Sequence, residues 1–165
     1  MLESLQFFKL RKQIETYIKK NSLELINKEN LKSSEKNKIY NLVEIITEYL
    51  SGTKINLYTK TQDLNLLLDI NKKFNSEFSK KMIKWLLNNV PYGQTTSYYE
   101  IGKNINSKAY RAIGNILKKN PYPLFIPCHR VLRKNGQIGG FMGKKQGEWQ
   151  VDLKKKLLQI EGYQI

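Results

Sequence analysis

The sequence predicts a mixed α/β (α+β) chain in two parts, a small N-terminal antiparallel sheet with a helix and then a mainly helical part. Short β-leaning runs separated by polar turns fill residues 4–29. From Ser34, apolar residues recur at helical spacing as far as Gly52, which suits a helix C-terminus. Capped helical patterns dominate the rest of the chain. We therefore predict an N-terminal part at residues 1–73 and a C-terminal part at residues 74–165.

The link between the two parts carries no periodic signal. Residues 53–73 show no clean period, so we expect them to form a connection. The C-terminal part then opens with a helix that reaches the turn signal at Pro91-Tyr92-Gly93. The apolar stripe of this helix consists of Phe78, Met82, Trp85 and Leu86.

Two short helices are predicted next. Ser97 and Glu100 have the spacing of a capping box, which predicts a helix as far as about Lys103. Ser107 is predicted to cap a second helix over residues 108–119, which Asn120-Pro121 ends. Two short helices joined by a few residues form a helix-turn-helix, and its second helix is the one that meets nucleic acid.

The charge of the chain is strongly positive and uneven. The net charge is +15, and residues 73–165 carry 17 of the 29 basic side chains but only 5 of the 14 acidic ones. A strongly basic domain attracts a polyanion, usually nucleic acid. A Lys-rich solvated surface is the alternative, but a general compositional bias would raise the charge of both parts alike.

Composition also excludes several classes of protein. A single cysteine rules out an internal disulfide, and one Cys with one His are too few ligands for a zinc site, so we expect no metal. We expect no cofactor, since no phosphate-binding loop or dinucleotide fingerprint occurs. Lys9 interrupts the N-terminal apolar run, which argues against a signal peptide or membrane span. We expect an intracellular, cytoplasmic monomer that does not bind membranes.

The only cysteine and the only histidine of the chain are neighbours, Cys128 and His129. Consecutive side chains point apart in a tight segment, so we expect His129 to act on the Cys128 proton through a water molecule. The imidazole, backbone N–H groups and basic surroundings are expected to lower the thiol pKa. From these two residues alone, a buried structural cysteine is the alternative.

The surrounding sequence resembles a known family. The run Asn120-Pro121-Tyr122-Pro123-Leu124-Phe125-Ile126-Pro127-Cys128-His129-Arg130-Val131 is similar to the active-site signature of the O6-alkylguanine-DNA alkyltransferases. The similarity extends from about residue 74 to residue 162, through blocks that include Pro91-Tyr92-Gly93, Tyr110-Arg111-Ala112-Ile113-Gly114 and Leu157-Leu158-Gln159-Ile160-Glu161-Gly162. The resemblance implies a winged helix-turn-helix domain and DNA repair by direct reversal.

The reaction that the resemblance implies is a single-turnover transfer. An alkyl group, such as methyl, passes from O6-alkylguanine in double-stranded DNA to Cys128, leaving an irreversible S-alkylcysteine. The resemblance assigns His129 and Glu161 to a water-mediated relay that activates the thiol. It assigns Tyr98 to donate to N3 of the leaving guanine, and Asn120 to brace the turn before the thiol. For Tyr98, a purely structural role in the core or at the helix cap is the alternative.

The resemblance also implies how DNA is held. The second helix enters the minor groove, and Arg111 takes the place of the guanine that has been flipped out. A surface phosphate contact or an ion pair is the alternative for Arg111. Small residues let the helix approach the backbone closely while cations meet phosphates. The predicted DNA-binding residues are Ser97, Lys108, Arg111, Ala112 and Gly114.

The predicted substrate pocket departs from the family pattern. Its residues are Pro123, Val131, Phe141 and Met142, with the Val131 carbonyl accepting from the guanine amine. Phe141-Met142-Gly143 stands where the family usually has Tyr-Ser-Gly, so a phenol hydroxyl is lost, although the Met142 N–H can still donate. The segment from Lys144 to Trp149 is longer than expected, so the assignment of Glu161 rests on the pattern around it.

Two other classes of function remain open at this point. A non-catalytic binder of alkylated DNA, or a helix-turn-helix regulator, would share the basic helix but would not need a thiol. A cysteine hydrolase would need a spatially paired histidine, and His129 is adjacent to Cys128 in sequence, which disfavours that arrangement.

Overall fold

A computed structural model describes residues 33–66 and 68–164. This part of the chain is dominated by helices and has one small parallel sheet, so the mixed class is confirmed. The antiparallel sheet predicted over residues 4–29 lies outside the described residues. The elements, in chain order, are α1 (Ser33–Leu50), α2 (Leu57–Asp63), α3 (Ile70–Lys73), α4 (Glu77–Asn89), β1 (Thr96–Ser97), α5 (Tyr98–Asn104), α6 (Tyr110–Lys118), a 3₁₀ turn (Cys128–Arg130), β2 (Val131–Leu132) and α7 (Trp149–Ile160).

One compact unit begins at Tyr40 and runs to the end of the chain. It contains every residue of the site described below. The boundary between residues 73 and 74 stays a prediction.

Helix α1 ends as the sequence predicts. Gly52 has a φ of +99°, in the left-handed region that favours glycine, and its N–H donates to the Tyr49 carbonyl at 3.1 Å. Tyr49 and Leu50, in the last turn of the helix, are buried. The C-terminal end of α1 is therefore anchored in the core.

The prediction that residues 53–73 form only a connection was wrong, because this segment contains α2 and α3. Each begins at a side-chain cap: Asn56 accepts from the Thr59 N–H at 3.2 Å, and Asp69 accepts from the Lys72 N–H at 3.0 Å. The helices have 7 and 4 residues, which is too short to show a hydrophobic period. Polar caps, rather than periodicity, mark them in the sequence.

Helix α4 forms the centre of the core, as its apolar stripe predicts. Met82, Ile83 and Leu86 are completely buried, while Phe78 and Trp85 are half-buried. Burying a side chain of this size stabilises the fold by about 1.5–3 kcal/mol. Both α5 and α6 pack against α4, so this core supports the two helices that follow.

Helices α5 and α6 form a closely packed pair. The capping box of α5 is confirmed: Ser97 accepts from the Glu100 N–H at 3.1 Å, and Glu100 accepts from the Ser97 N–H at 2.9 Å. A Cβ on Gly102 would lie 2.5 Å from the Tyr110 ring, so only glycine permits this approach.

The predicted start of α6 was wrong. The helix begins at Tyr110 rather than at residue 108, and Ala109 occupies the cap position without a side-chain hydrogen bond. The Ser107 hydroxyl accepts instead from the Ala109 N–H at 3.1 Å, two residues along the chain. That local bond holds a turn and does not cap the helix.

The small sheet joins the start of α5 to the cysteine turn. Strands β1 and β2 are parallel, with Thr96 opposite Val131 and Ser97 opposite Leu132. Helix α7 packs against the 3₁₀ turn that precedes β2. The turn is therefore held between the α5–α6 pair and the last helix.

Candidate active site

The 3₁₀ turn sends three successive side chains in different directions. Such a helix has about three residues per turn, so Cys128, His129 and Arg130 diverge around its axis. All three side chains are buried. The turn is closed by hydrogen bonds from the Cys128 N–H to the Ile126 carbonyl at 2.7 Å and from the Arg130 N–H to the Pro127 carbonyl at 3.0 Å. The thiol and the imidazole are thus presented to different surroundings.

The Asn120 side chain connects the thiol to the loop before it. Its amide nitrogen lies 3.1 Å from the Cys128 sulfur and also donates to the Ile126 carbonyl at 3.1 Å. Its oxygen accepts from the Tyr122 N–H at 3.0 Å. Asn120 therefore holds the loop in shape and offers the sulfur a donor, which favours the thiolate form.

A cavity of about 200 Å³ opens beside the sulfur. A cavity of about 150 Å³ can hold benzene, so this space admits a planar ring. Of the predicted pocket residues, Phe141 and Met142 line the cavity, whereas Pro123 and Val131 are not among the described lining residues. The lining consists of Tyr98, Gly114, Leu117, Lys118, Cys128, Gly140, Phe141, Met142, Gly143 and Lys144.

The Val131 carbonyl has a partner that the sequence analysis did not anticipate. The ammonium of Lys154, on α7, donates to it at 2.5 Å, and both residues are completely buried. A carbonyl oxygen has two lone pairs, so this bond leaves one acceptor position on Val131. The predicted contact with a guanine amine would have to use that second position.

Behind the thiol, four side chains form a buried polar network. His129 Nε2 lies 3.0 Å from Glu161 Oε1, and the Tyr49 hydroxyl donates to the same oxygen at 2.5 Å. Arg130 binds both carboxylate oxygens, at distances from 2.7 to 3.1 Å, and donates to the Val90 carbonyl at 2.8 Å. His129 Nδ1 is buried and has no hydrogen-bond partner among the described residues. Nδ1 is therefore the ring nitrogen that can serve a relay.

The ionisation of this network follows from burial and pairing. Although burial opposes charge on Glu161, its bonds to His129 and Arg130 prevail and lower its pKa to about 2, so it is a carboxylate at neutral pH. Burial lowers the pKa of His129 despite the carboxylate beside it, so the imidazole is neutral. Arg130 is therefore the counter-ion of Glu161.

The expectation of a lowered thiol pKa was wrong for the protein without DNA. Burial raises the pKa of Cys128, and the Asn120 amide and the Lys154 ammonium offset only part of that increase. Burial in turn lowers the pKa of Lys154 to about 8. Because the thiol is protonated at neutral pH, any reaction of its thiolate form needs a group that accepts the proton.

Tyr98 lies across the same cavity from the thiol. Burial raises its pKa, and the neighbouring Cys128 raises it further. The phenol is therefore protonated at neutral pH, which is the form that can donate a proton.

The predicted DNA-binding residues divide into two groups. Lys108 lies just before α6 and Arg111 lies on it. Both side chains are exposed, so they can meet phosphates or bases. Ala112 and Gly114 are half-buried, and Gly114 also lines the cavity. Ser97 is buried at the α5 cap, with its hydroxyl accepting from the Glu100 N–H, so it contributes to the position of Tyr98 rather than to the surface.

Three residues of the site were missed from the sequence. Tyr49 is one of the apolar residues that recur at helical spacing after Ser34 and was given no chemical role. Arg130 received no role of its own beside Cys128 and His129. Lys154 did carry a signal, since a lysine between Val151 and Leu158 falls on the buried face of α7. A charge at such a position needs a buried partner.

Together, these features define a class of protein: one that presents a single buried thiol to a ring-sized cavity, with an imidazole–carboxylate pair behind it and a basic helix in front. Comparison with known proteins identifies the family. Residues 77–163 match the family described as 6-O-methylguanine DNA methyltransferase, DNA binding domain.

Individual relatives agree with this match. The chain is 34% identical over 138 residues to the constitutive methylated-DNA–protein-cysteine methyltransferase of Bacillus subtilis, with 81% of this chain and 74% of the relative covered. It is 42% identical over 89 residues to a methylated-DNA–protein-cysteine methyltransferase of Methanosarcina acetivorans, with 53% and 52% covered. The chain thus spans about half of the second relative and three quarters of the first. It belongs to the methylated-DNA–protein-cysteine methyltransferase family.

A solved structure shows the same fold. The crystal structure of Mycobacterium tuberculosis OGT in complex with DNA superposes with a TM-score of 0.56 at 30% identity, covering 72% of this chain and 64% of that one. Within the described ranges, no helix is long and apolar enough to cross a membrane, and no three potential metal ligands cluster together.

Proposed function

We propose that this protein repairs DNA by moving an alkyl group from O6 of guanine to the sulfur of Cys128. The observation that carries the proposal is the placement of the chain's only thiol beside a cavity that admits a planar ring. The family's alkyl transfer and its DNA substrate are consistent with this geometry. A non-catalytic DNA binder would have no use for the Asn120 donor or the imidazole–carboxylate pair behind the sulfur.

The proposed reaction balances as follows. The Cys128 proton passes through a water molecule to Nδ1 of His129, and the sulfur attacks the alkyl carbon as the carbon–O6 bond breaks. Guanine leaves with that electron pair and takes a proton from the Tyr98 hydroxyl. The imidazolium of His129 then releases its extra proton to solvent, and the phenolate of Tyr98 takes one up from solvent. One proton has left sulfur and one has reached guanine. Because a thiolate is a poor leaving group from a neutral thioether, the alkyl group stays on Cys128 and each molecule reacts once.

The proposed DNA contact uses α5 and α6 as a helix-turn-helix, with the turn at residues 133–137 as its wing. Two backbone hydrogen bonds close this turn: the Gly136 N–H donates to the Arg133 carbonyl at 2.9 Å, and the Arg133 N–H donates to the Gln137 carbonyl at 3.0 Å. The wing is therefore a tight turn. The target base must leave the stack to reach a buried sulfur, and Arg111 is exposed on α6 where it can fill the gap. We propose double-stranded DNA as the partner of the monomer.

The proposal is tested by following the damaged base. A duplex with one O6-methylguanine is mixed with limiting protein, and the remaining O6-methylguanine is measured after digestion to nucleosides. We expect loss of one damaged base per protein molecule and none with Cys128→Ala. Loss that continues beyond one equivalent would contradict a single-turnover transfer, and loss with Cys128→Ala would contradict the role of the thiol.

A further inference from the structure

The last turn of α1 places a tyrosine hydroxyl inside the relay behind the thiol. Tyr49 is 1% exposed; its hydroxyl donates to Glu161 Oε1 at 2.5 Å and lies 3.3 Å from His129 Nε2. Its ring packs edge-on against Tyr92, whose hydroxyl binds the carbonyls of Gly52 and Ile160 at 3.0 and 2.8 Å. Tyr92 thus ties the end of α1 to the end of α7, which leads into Glu161.

We propose that Tyr49 is a positioning residue of the alkyl transfer: with Glu161 it fixes His129 in the tautomer that leaves Nδ1 free to accept the thiol proton. This inference rests on the proposed function, because it explains how the relay is prepared. It also gives a chemical role to a residue of the predicted N-terminal part.

The tautomer follows from counting protons around Glu161 Oε1. The carboxylate can only accept hydrogen bonds, and the single proton of the Tyr49 hydroxyl is already donated to it. If His129 Nε2 lacked a proton, its lone pair would face a carboxylate oxygen 3.0 Å away. Nε2 therefore carries the proton and donates to Glu161, and the Tyr49 oxygen lies close enough to share it. Nδ1 must then be unprotonated.

The Tyr49 hydroxyl also weakens the stabilisation that the Glu161 carboxylate gives to the protonated form of His129. The charged groups around His129 are Glu161, which favours its protonated form, and Arg130 and Lys154, which oppose it. Tyr49 and Tyr92 are the other titratable groups at this junction, and both remain protonated because burial raises their pKa values. Removing the Tyr49 hydroxyl leaves Glu161 with one donor fewer, so the carboxylate should stabilise the imidazolium more strongly and raise the pKa of His129.

The test compares Tyr49→Phe with the unchanged protein and with Tyr40→Phe. Tyr40 lies on the same helix but is 69% exposed, so it controls for loss of a hydroxyl as such. Rates of methyl transfer from O6-methylguanine duplex are measured between about pH 5 and pH 9, the range in which histidine titrates. For Tyr49→Phe we expect the acid limb of the profile to move upward by about half a pH unit or more, while the plateau at high pH changes little. Tyr40→Phe should follow the unchanged protein.

The outcomes separate this inference from the proposed function. A Tyr49→Phe profile that superposes on that of the unchanged protein would overturn the role of Tyr49 and leave the alkyl transfer intact. A uniform loss of rate at every pH would also overturn it, since that result indicates a structural effect alone. If the unchanged protein takes no methyl group, the proposed function fails, and the same profiles measured with iodoacetamide still test Tyr49.

A second measurement does not depend on the stability of the variant. His129 is the only histidine of the chain, so its ring ¹⁵N signals are unambiguous. At neutral pH, the unchanged protein should show a protonated Nε2 and an unprotonated Nδ1. A proton on Nδ1 would overturn the inference.

Discussion

At the scale of single residues, the proposed nucleophile, Cys128, is a protonated thiol at neutral pH. Burial raises the pKa of Cys128. This increase is opposed by Asn120, whose amide lies 3.1 Å from the sulfur, by the ammonium of Lys154, and by the backbone N–H groups of Cys128 and His129. A free thiolate on the surface would react with any electrophile, whereas a buried thiol reacts only when a substrate enters the cavity. Keeping the Cys128 thiol protonated therefore contributes to its selectivity for a substrate that enters the cavity.

Lys154 provides the most direct residue-scale prediction. Lys154→Met keeps an unbranched side chain, one atom shorter, but removes the charge, so the pKa of Cys128 should rise further. A rise of one unit corresponds to about tenfold less thiolate, and we expect a loss of rate of that order near neutral pH. The measurement is the pH dependence of Cys128 alkylation by iodoacetamide, followed by intact mass.

Two checks accompany this prediction. Lys145→Met, at an exposed position, should leave the alkylation profile unchanged. In Lys154→Met the Val131 carbonyl loses its donor, which costs about 1–3 kcal/mol, but the cost of burying an ammonium is also removed. Thermal melting shows the net effect on stability. An unaltered Cys128 profile in a folded Lys154→Met protein would contradict the electrostatic role of Lys154.

At the scale of elements, α6 has two separate faces. Ile113 and Leu117 are buried against the core, while Arg111 and Lys118 are exposed on the opposite side. The half-buried Gly114 lies between these faces. A Cβ added to this glycine would lie 3.8 Å from the Tyr98 ring. A helix of this kind can bring cations to DNA while Gly114 borders the cavity.

Arg111 should matter for duplex DNA and not for the chemistry. Arg111→Ala removes the side chain that would fill the gap left by a flipped base, so we expect repair of duplex O6-methylguanine to slow by about tenfold or more. Reaction with free O6-benzylguanine, which needs no flipping, should change by no more than about twofold. The ratio of the two rates is the measurement. Equal losses on both substrates would show that Arg111 acts on the reaction itself.

The same elements show what local sequence can predict. The α5 capping box, the α4 stripe and the α1 end at Gly52 were predicted because each depends on residues close in the chain. The start of α6 was mispredicted because the Ser107 hydroxyl has two competing N–H partners nearby, and the structure uses the nearer one. Helices α2 and α3 were missed because, at 7 and 4 residues, they are too short to show a hydrophobic period.

The residues of the candidate site likewise divide into those that local sequence predicts and those that only the fold brings together. Cys128, His129 and Asn120 lie within one short motif, so their proximity was predictable from the sequence together with the family resemblance. Tyr49 and Lys154 lie 80 and 23 positions from the residues they bind, His129 and Val131, and no local pattern connects such pairs. Only the packing of α1 and α7 around the turn brings them together.

At the scale of the whole molecule, the charge distribution should determine how undamaged DNA is bound. The C-terminal part carries most of the net charge of +15, and phosphate contacts release counterions. Binding to undamaged duplex should therefore be nearly independent of sequence and should weaken with salt, with a log–log slope of about 0.9 per phosphate contacted. Fluorescence anisotropy over a salt series measures the slope. A constant affinity across the series would contradict the proposed DNA-binding face.

The fold, the basic helix and the relay have one common purpose in this account, which is to bring an alkylated guanine to the sulfur of Cys128. The most direct test is intact mass, with peptide mapping, after the protein is mixed with duplex containing O6-methylguanine. We predict a gain of one methyl group in place of one hydrogen, located on the peptide that contains Cys128, in step with loss of O6-methylguanine from the DNA. Unmodified protein alongside repaired DNA, or a methyl group on any other residue, would contradict the account.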